Sequence, residues 1–161
     1  MVDTHCHLDA CEGSPAELVR RAGAEGVRRI ATVGTDGHSI ERAMEVAREH
    51  EEVVAIVGRH PHEAEGFGGT DLREIEHAAA RPEARAVGET GLDYHRDLAP
   101  REHQRRAFEA QLDLAARTGL PAVIHTRAAE EDTFAILREH ADRVTVVLHC
   151  FSAPDRVEEC V

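Results

Sequence analysis

The chain has 161 residues, 42% of them apolar, enough for one domain with a real core and too apolar for a disordered segment. Its 19 basic residues, all arginine, stand against 31 acidic ones for a net charge of −12, which argues against long-range, salt-dependent tracking of duplex DNA but leaves room for a local cluster that grips one or two phosphates. No apolar run of about 18 residues occurs and the chain enters its first strand without a leader, so a cytoplasmic protein without membrane contact is expected; Cys6, Cys11, Cys150 and Cys160 lack C-x-x-C spacing and read as reduced packing residues.

Residues 2–9 (VDTHCHLD) read as a strand, whose period of two places Asp3, His5, His7 and Asp9 on one face. Burying so many polar groups is costly unless an ion or hydrogen bonds satisfy them; the alternative is a half-exposed strand whose polar face meets water. Ser14-Pro15-Ala16-Glu17 then forms a capping box with proline at the first helical position, and the helix runs to about residue 25 before Gly26. Residues 27–33 (VRRIATV) are a second strand, and Ile40, Ala43, Met44 and Ala47 space a helix that ends near His50. Residues 52–58, containing VVAIV, form a strand buried on both faces, followed by Arg59-His60-Pro61-His62 and a glycine-rich loop. Thr70 or Asp71 caps a third helix carrying Leu72, Ile75 and Ala79, ended by Pro82. Residues 84–89 are strand four, and a loop over 90–99 leads to Pro100 and a long helix with Phe108, Leu112 and Ala115, stopped by Gly119. Residues 122–125 are strand five, a helix with Phe134, Leu137 and Ala141 follows, residues 144–149 (VTVVLH) are strand six, and 154–161 begin another helix.

Six repeats of strand then helix imply right-handed parallel βαβ units, in either a barrel or an open doubly wound sheet. No G-x-G-x-x-G or P-loop follows the first strand, which weakens the nucleotide-binding versions. His5 and His7, His60 and His62, Glu89, His125 and Arg127, and His149 all fall at C-terminal strand ends. Those ends meet at one mouth in a TIM-type (βα)8 barrel, of which this chain, a single domain over residues 1–161, supplies about the first six units. His38, His50, His77, His103 and His140 fall on helices or their ends and read as solvated surface. Imidazoles with a carboxylate suit divalent cations, and Glu89 is placed to bridge two ions about 4 Å apart; the alternative for Glu89 is an ion pair with an arginine such as Arg127.

Residues 2–9 (VDTHCHLD), 58–62 (GRHPH), 88–94 (GETGLDY), 104–114 (QRRAFEAQLDL), 120–127 (LPAVIHTR) and 149–152 (HCFS) together resemble the TatD-type metal-dependent deoxyribonucleases of the amidohydrolase-like barrels. The resemblance implies two divalent ions (magnesium, manganese or zinc), the first held by His5 and His7, the second by His125 and His149, with Glu89 bridging both at the catalytic centre. It implies phosphate contacts from His62, His60 and Arg127, leaves Tyr94 without a chemical role, and names DNA ends or single-stranded DNA as substrate for hydrolysis by metal-activated water. Two departures stand out. Ala153 replaces the glycine that follows HCFS in the family, and a complete barrel needs eight strands and about 250 residues, so strands seven and eight and the family's further aspartate ligand are not in these 161 residues. A truncated chain that is a poor or inactive nuclease is therefore expected. No G-x-S-x-G elbow supports a side-chain nucleophile. Two other readings are an amidohydrolase acting on small-molecule C–N bonds and a non-catalytic remnant that still binds metal.

Overall fold

The apolar runs become strands and the periodic segments become helices. The computed structural model describes residues 1–160, with strands β1 (Val2–Cys6), β2 (Arg29–Gly34), β3 (Val53–Val57), β4 (Ala84–Asp93), β5 (Ala122–Arg127) and β6 (Val146–Leu148). Between them lie helices α1 (Pro15–Ala24), α2 (Gly37–Glu49), α3 (Gly69–Ala79), α4 (Arg101–Thr118) and α5 (Glu130–His140). All strands are parallel and pair in sequence order, β1 to β6. Five intervals of about 4.8 Å would hold the edge strands of a flat sheet roughly 24 Å apart. Yet the rings of His5 on β1 and His149, one residue beyond β6, stack with centroids 3.5 Å apart. The sheet is therefore curled, bringing its C-terminal strand ends together as in part of a TIM-type barrel.

The helices cover the outer face. Met44, Ile75, Phe108 and Leu112 pack with Val57, Val87 and Ile124 in the main core, while Val33, Ile56, Ala86 and Val123 form a separate small cluster from four adjacent strands. Capping follows the sequence: Ser14 Oγ accepts from Glu17 N at 3.3 Å, and Asp36 with Ser39 closes a reciprocal box on α2. Helix α3 begins at Gly69, before the expected Thr70 or Asp71, because Asp71 works from inside the first turn, accepting from Gly68 N at 2.9 Å.

Several elements depart from the sequence reading. Strand β4 continues four residues beyond Glu89 to Asp93, and β5 continues to Arg127, the two strands pairing to their ends. Strand β1 slips register between Asp3 and Cys6, so strict alternation fails; Asp3 and Asp9 are exposed and only His5 and His7 of the expected face turn to the strand-end cluster. Residues Pro154–Cys160 form 3-10 turns in place of the expected helix, whose residue 161 lies outside the described residues. Of the cysteines only Cys6 packs, its burial and then the charge of Asp3 pushing its thiol up to about 12; Cys11, Cys150 and Cys160 are exposed, on loops or turns with no core to enter. His140, expected on the surface, is buried, with Nδ1 3.0 Å from the Ile136 carbonyl and Nε2 3.4 Å from Asp113; His50 and His103 are half-buried, and His103 Nδ1 accepts from Gly66 N. No helix among the described residues is long and apolar enough to cross a membrane.

The close approach of β4 to β5 depends on Gly91, which has φ of 138° and where an added Cβ would lie 2.0 Å from the His125 carbonyl oxygen. Gly91→Ala is expected to destabilise the fold by about 3 kcal/mol or more and lower Tm by roughly 6–12 °C. Gly23→Ala, on α1 with no atom within 4 Å of the added carbon, should raise stability by about 0.5–1 kcal/mol. Thermal unfolding of the two proteins checks both signs.

Candidate metal and phosphate site at the strand ends

Glu89 is the centre of the mouth. It sits within β4, its residue only 2% exposed, and the curl of the sheet aims five imidazoles at its carboxylate. The two oxygens have different neighbours. Oε2 lies 3.1 Å from His5 Nε2 and 3.9 Å from His7 Nε2, both supplied by the start of the chain. Oε1 lies 2.8 Å from His125 Nδ1 and 3.7 Å from both His149 Nε2 and His60 Nε2. The alternative ion pair between Glu89 and Arg127 does not form: Arg127 ends β5 exposed, with no ion pair for its guanidinium among the described residues.

His60 separates from the others on its hydrogen bonding. Its Nδ1 accepts from His62 N at 3.1 Å, so that nitrogen carries no proton and the neutral ring bears its proton on Nε2. His60 therefore points an N–H towards Glu89, although its position alone would let it join Glu89 and His125 around an ion. His62, its neighbour across the 3-10 turn Pro61–Glu63, turns to Asp93, with Nε2 2.8 Å from Oδ2.

Asp93 is the site residue to which the sequence reading gives no role. It is fully buried, and its Oδ2 also lies 3.1 Å from His125 Nε2, while Oδ1 accepts the backbone N–H groups of His95 at 3.0 Å and Arg96 at 2.8 Å. Behind it stand two buried glutamines of α4, seven residues apart on one helical face. Gln104 brackets Asp93, accepting from its N–H at 2.8 Å and donating to its carbonyl at 3.3 Å. Gln111 accepts from Arg59 N at 2.7 Å and donates to the Arg59 carbonyl and to Thr90 Oγ1. It thereby ties the residue before His60 to the residue after Glu89. These residues lie within the motifs at 88–94 and 104–114, and the sign of the glutamines' roles is polarity at positions whose helical neighbours are apolar, as at Gln104 beside Ala107 and Phe108.

The donor set fits divalent cations. His5 Nδ1 is buried with no hydrogen-bond partner among the described residues, and His5, His7 and Glu89 place one donor atom each within 4.8 Å of one another. On the other side, an imidazole whose Nε2 faces one carboxylate and whose Nδ1 faces another at 2.8 Å needs a positive charge, proton or metal, on the Nδ1 side. Imidazole and carboxylate together suit zinc and manganese, and the carboxylate also suits magnesium.

The electrostatics follow from the same contacts. Burial pushes the Glu89 carboxyl up, but hydrogen bonds from His125 and His5 outweigh it and hold the acid well below the usual carboxylate range. Asp93 is likewise held low, against burial, by the Arg96 N–H and by His62 and His125. Burial drives His60 down to about 3, Glu89 opposing only in part, and burial with the charge of His5 lowers His149. For His125 burial is overcome by the bond to Glu89, and the ring is raised.

These shifts have a sign in stability. Glu89 and Asp93, with folded values below their unfolded ones, stabilise the fold above the carboxylate range and lose that contribution as pH falls through it; neutral His60 and His149 begin to cost stability once the unfolded imidazole protonates, below about 6.5. His125 acts oppositely, its contribution being complete below about 6.5 and lost as pH rises through its raised value. Denaturant unfolding of the chelator-treated protein should therefore show stability declining from about pH 6.5 downward and more steeply below about pH 4.5. His60→Gln should flatten the upper limb of that decline.

Comparison with known proteins gives a consistent set of similarities. The model of the TatD related DNase family matches residues 2–161. The chain is 40% identical to the uncharacterized metal-dependent hydrolase YabD of Bacillus subtilis, over all of this chain and 65% of that protein. It is 36% identical to a 3′-5′ ssDNA/RNA exonuclease TatD of Enterobacter lignolyticus, over 89% of this chain and 56% of the relative. The crystal structure of YjjV, a TatD homolog from Escherichia coli, superposes with a TM-score of 0.90 at 31% identity, over 99% of this chain and 64% of that one. The chain thus spans between 56% and 65% of the length of these relatives.

Proposed function

The chain belongs to the TatD-related DNase family, and from that premise we propose that its strand-end site serves metal-dependent hydrolysis of phosphodiester bonds at the ends of single-stranded nucleic acid, in the cytoplasm. The observation that carries this reading is the division of the Glu89 carboxylate, Oε2 towards His5 and His7 and Oε1 towards His125 and His149. On this reading the first group would hold one divalent cation and the second another, with Glu89 serving both. Bound there, the two ions would supply Lewis acidity at phosphorus and an activated water for attack.

The chain's own residues supply the rest. The buried, low-titrating Glu89 keeps two anionic oxygens in place without solvent competition. His60, neutral and with its proton on Nε2, offers a donor beside the carboxylate, suited to a phosphoryl oxygen or to orienting water. His62 is held by Asp93 through one nitrogen and keeps the other for substrate. Arg127 brings a guanidinium that is unpaired among the described residues, at the end of β5, to a following phosphate. The nuclease reading is favoured over C–N hydrolysis by the family and by the exonuclease name that one relative carries. Polarity of digestion and use of DNA or RNA follow that name as part of the proposal.

A closed barrel gives the test its substrate-ready form, because β1 and β6 each have a strand neighbour on one side only. A fusion of this chain to the C-terminal third of the E. coli homolog is expected to be a compact monomer that releases nucleotides from 3′-labelled single-stranded DNA with magnesium or manganese. Chelation and Glu89→Gln should abolish release while leaving the monomer intact; near-normal turnover by Glu89→Gln would refute the bridging role. His62→Ala in the same protein should keep its metal content by elemental analysis and lose about 1.5–3 kcal/mol of substrate binding or transition-state stabilisation.

A further inference from the structure

Asp93 is unusual in the number of donors it satisfies. Oδ1 takes two backbone N–H groups, from His95 and Arg96, and Oδ2 faces two imidazole nitrogens, Nε2 of His62 at 2.8 Å and Nε2 of His125 at 3.1 Å. Its own N–H and carbonyl are bracketed by Gln104, and the residue has no exposed surface. A carboxylate in this position can only accept. Both imidazoles must then carry their proton on Nε2, and for His125 the atom left facing Glu89 Oε1, at 2.8 Å, is Nδ1.

We propose that Asp93 is a positioning residue that fixes the tautomer of His125, so that this ring offers Nδ1, and not Nε2, to a cation beside Glu89. The same oxygen fixes the proton of His62 on Nε2, which makes one buried carboxylate the common orienter of a metal-binding ring and a substrate-binding ring. The inference rests on the reading that His125 is a metal ligand. Partners of this kind commonly change metal affinity by about 10–100-fold when removed.

Asp93→Asn tests it without a large change in shape. The two backbone N–H groups at positions 95 and 96 cannot rotate away, so the amide oxygen must face them and the amide NH2 must face the rings. The rings then become acceptors at Nε2, and the His125 proton moves to Nδ1, which closes that nitrogen to an ion. Long-range 1H–15N spectra of ring-labelled protein, with His125 assigned by its loss in His125→Gln, read the tautomer directly in the zinc-loaded state. Wild type should show His125 protonated at Nε2, and Asp93→Asn should show it at Nδ1. Calorimetric titration with zinc alone should show the weaker-held ion of Asp93→Asn bound at least about tenfold less tightly, with the His5 and His7 resonances still responding.

A wild-type His125 protonated at Nδ1 in the zinc-loaded protein overturns the inference, even if the variant does not fold. So does an Asp93→Asn protein that binds zinc with wild-type stoichiometry and affinity. No response of His125 to zinc in the wild type would overturn both the inference and its ligand assignment, whereas a tautomer as expected beside a failure to hydrolyse DNA would leave the inference standing and refute the proposed reaction.

Discussion

The rest of the structure depends on burying one negative charge. An anion with 2% exposure costs several kcal/mol unless its oxygens are met by donors or cations, and among the described residues no arginine meets Glu89. Its compensation comes from imidazoles borne by β1, β5 and the segments following β1, β3 and β6. Such a set can be collected only where parallel strands bring their C-terminal ends to one point. The curl that stacks His5 on His149 is thus a condition for placing the glutamate as well as a property of twisted parallel strands.

Helix α4 turns that gathering into a defined geometry. Packing alone fixes side chains to within the tolerance of apolar contacts, whereas a hydrogen bond fixes distance and direction. Gln104 and Gln111 each engage both the N–H and the carbonyl of one residue, Asp93 and Arg59 respectively, so they act on backbones and leave the site side chains free for chemistry. Gly58 makes the second of these possible: a Cβ there would lie 2.7 Å from Gln111 Oε1 and 2.6 Å from the Gly88 carbonyl. Strand ends that carry function are in this way held from behind, by groups that never reach the mouth.

Most of the fold and much of the site could be read from the sequence because their signals are local. An apolar run such as VVAIV declares a buried strand, and a histidine at its end declares which rim it belongs to. Asp93 escapes for the opposite reason. Gly88, Glu89, Thr90 and Gly91 interrupt the apolar run and suggest that the strand has ended, yet β4 continues because Thr90 Oγ1 is satisfied by Gln111 and Asp93 by His62, His125 and Gln104. Those partners come from 11 to 32 residues away, a separation at which spacing carries no information. His140 escapes for a similar reason, since only the fold brings Asp113 to it. The failure of alternation at Asp3 and Asp9 is different in kind: a register slip in β1 turns a correct strand into a wrong face.

The same contacts bear on how an acidic chain would present the proposed site for a polyanion. At neutral pH the mouth holds two carboxylates, Glu89 and Asp93, while burial keeps His60 and His149 neutral. His125, between those two carboxylates, is raised by them, and the guanidinium of Arg127 lies at the exposed rim. Such a cluster has little positive charge of its own with which to attract a phosphate. What it has instead is an array of lone pairs on imidazole and carboxylate, which favours small divalent cations over an anion. On the proposed function, cation occupancy would be a precondition for binding a phosphate as well as for its hydrolysis, and a net charge of −12 would set no barrier once positive charge is concentrated at the mouth.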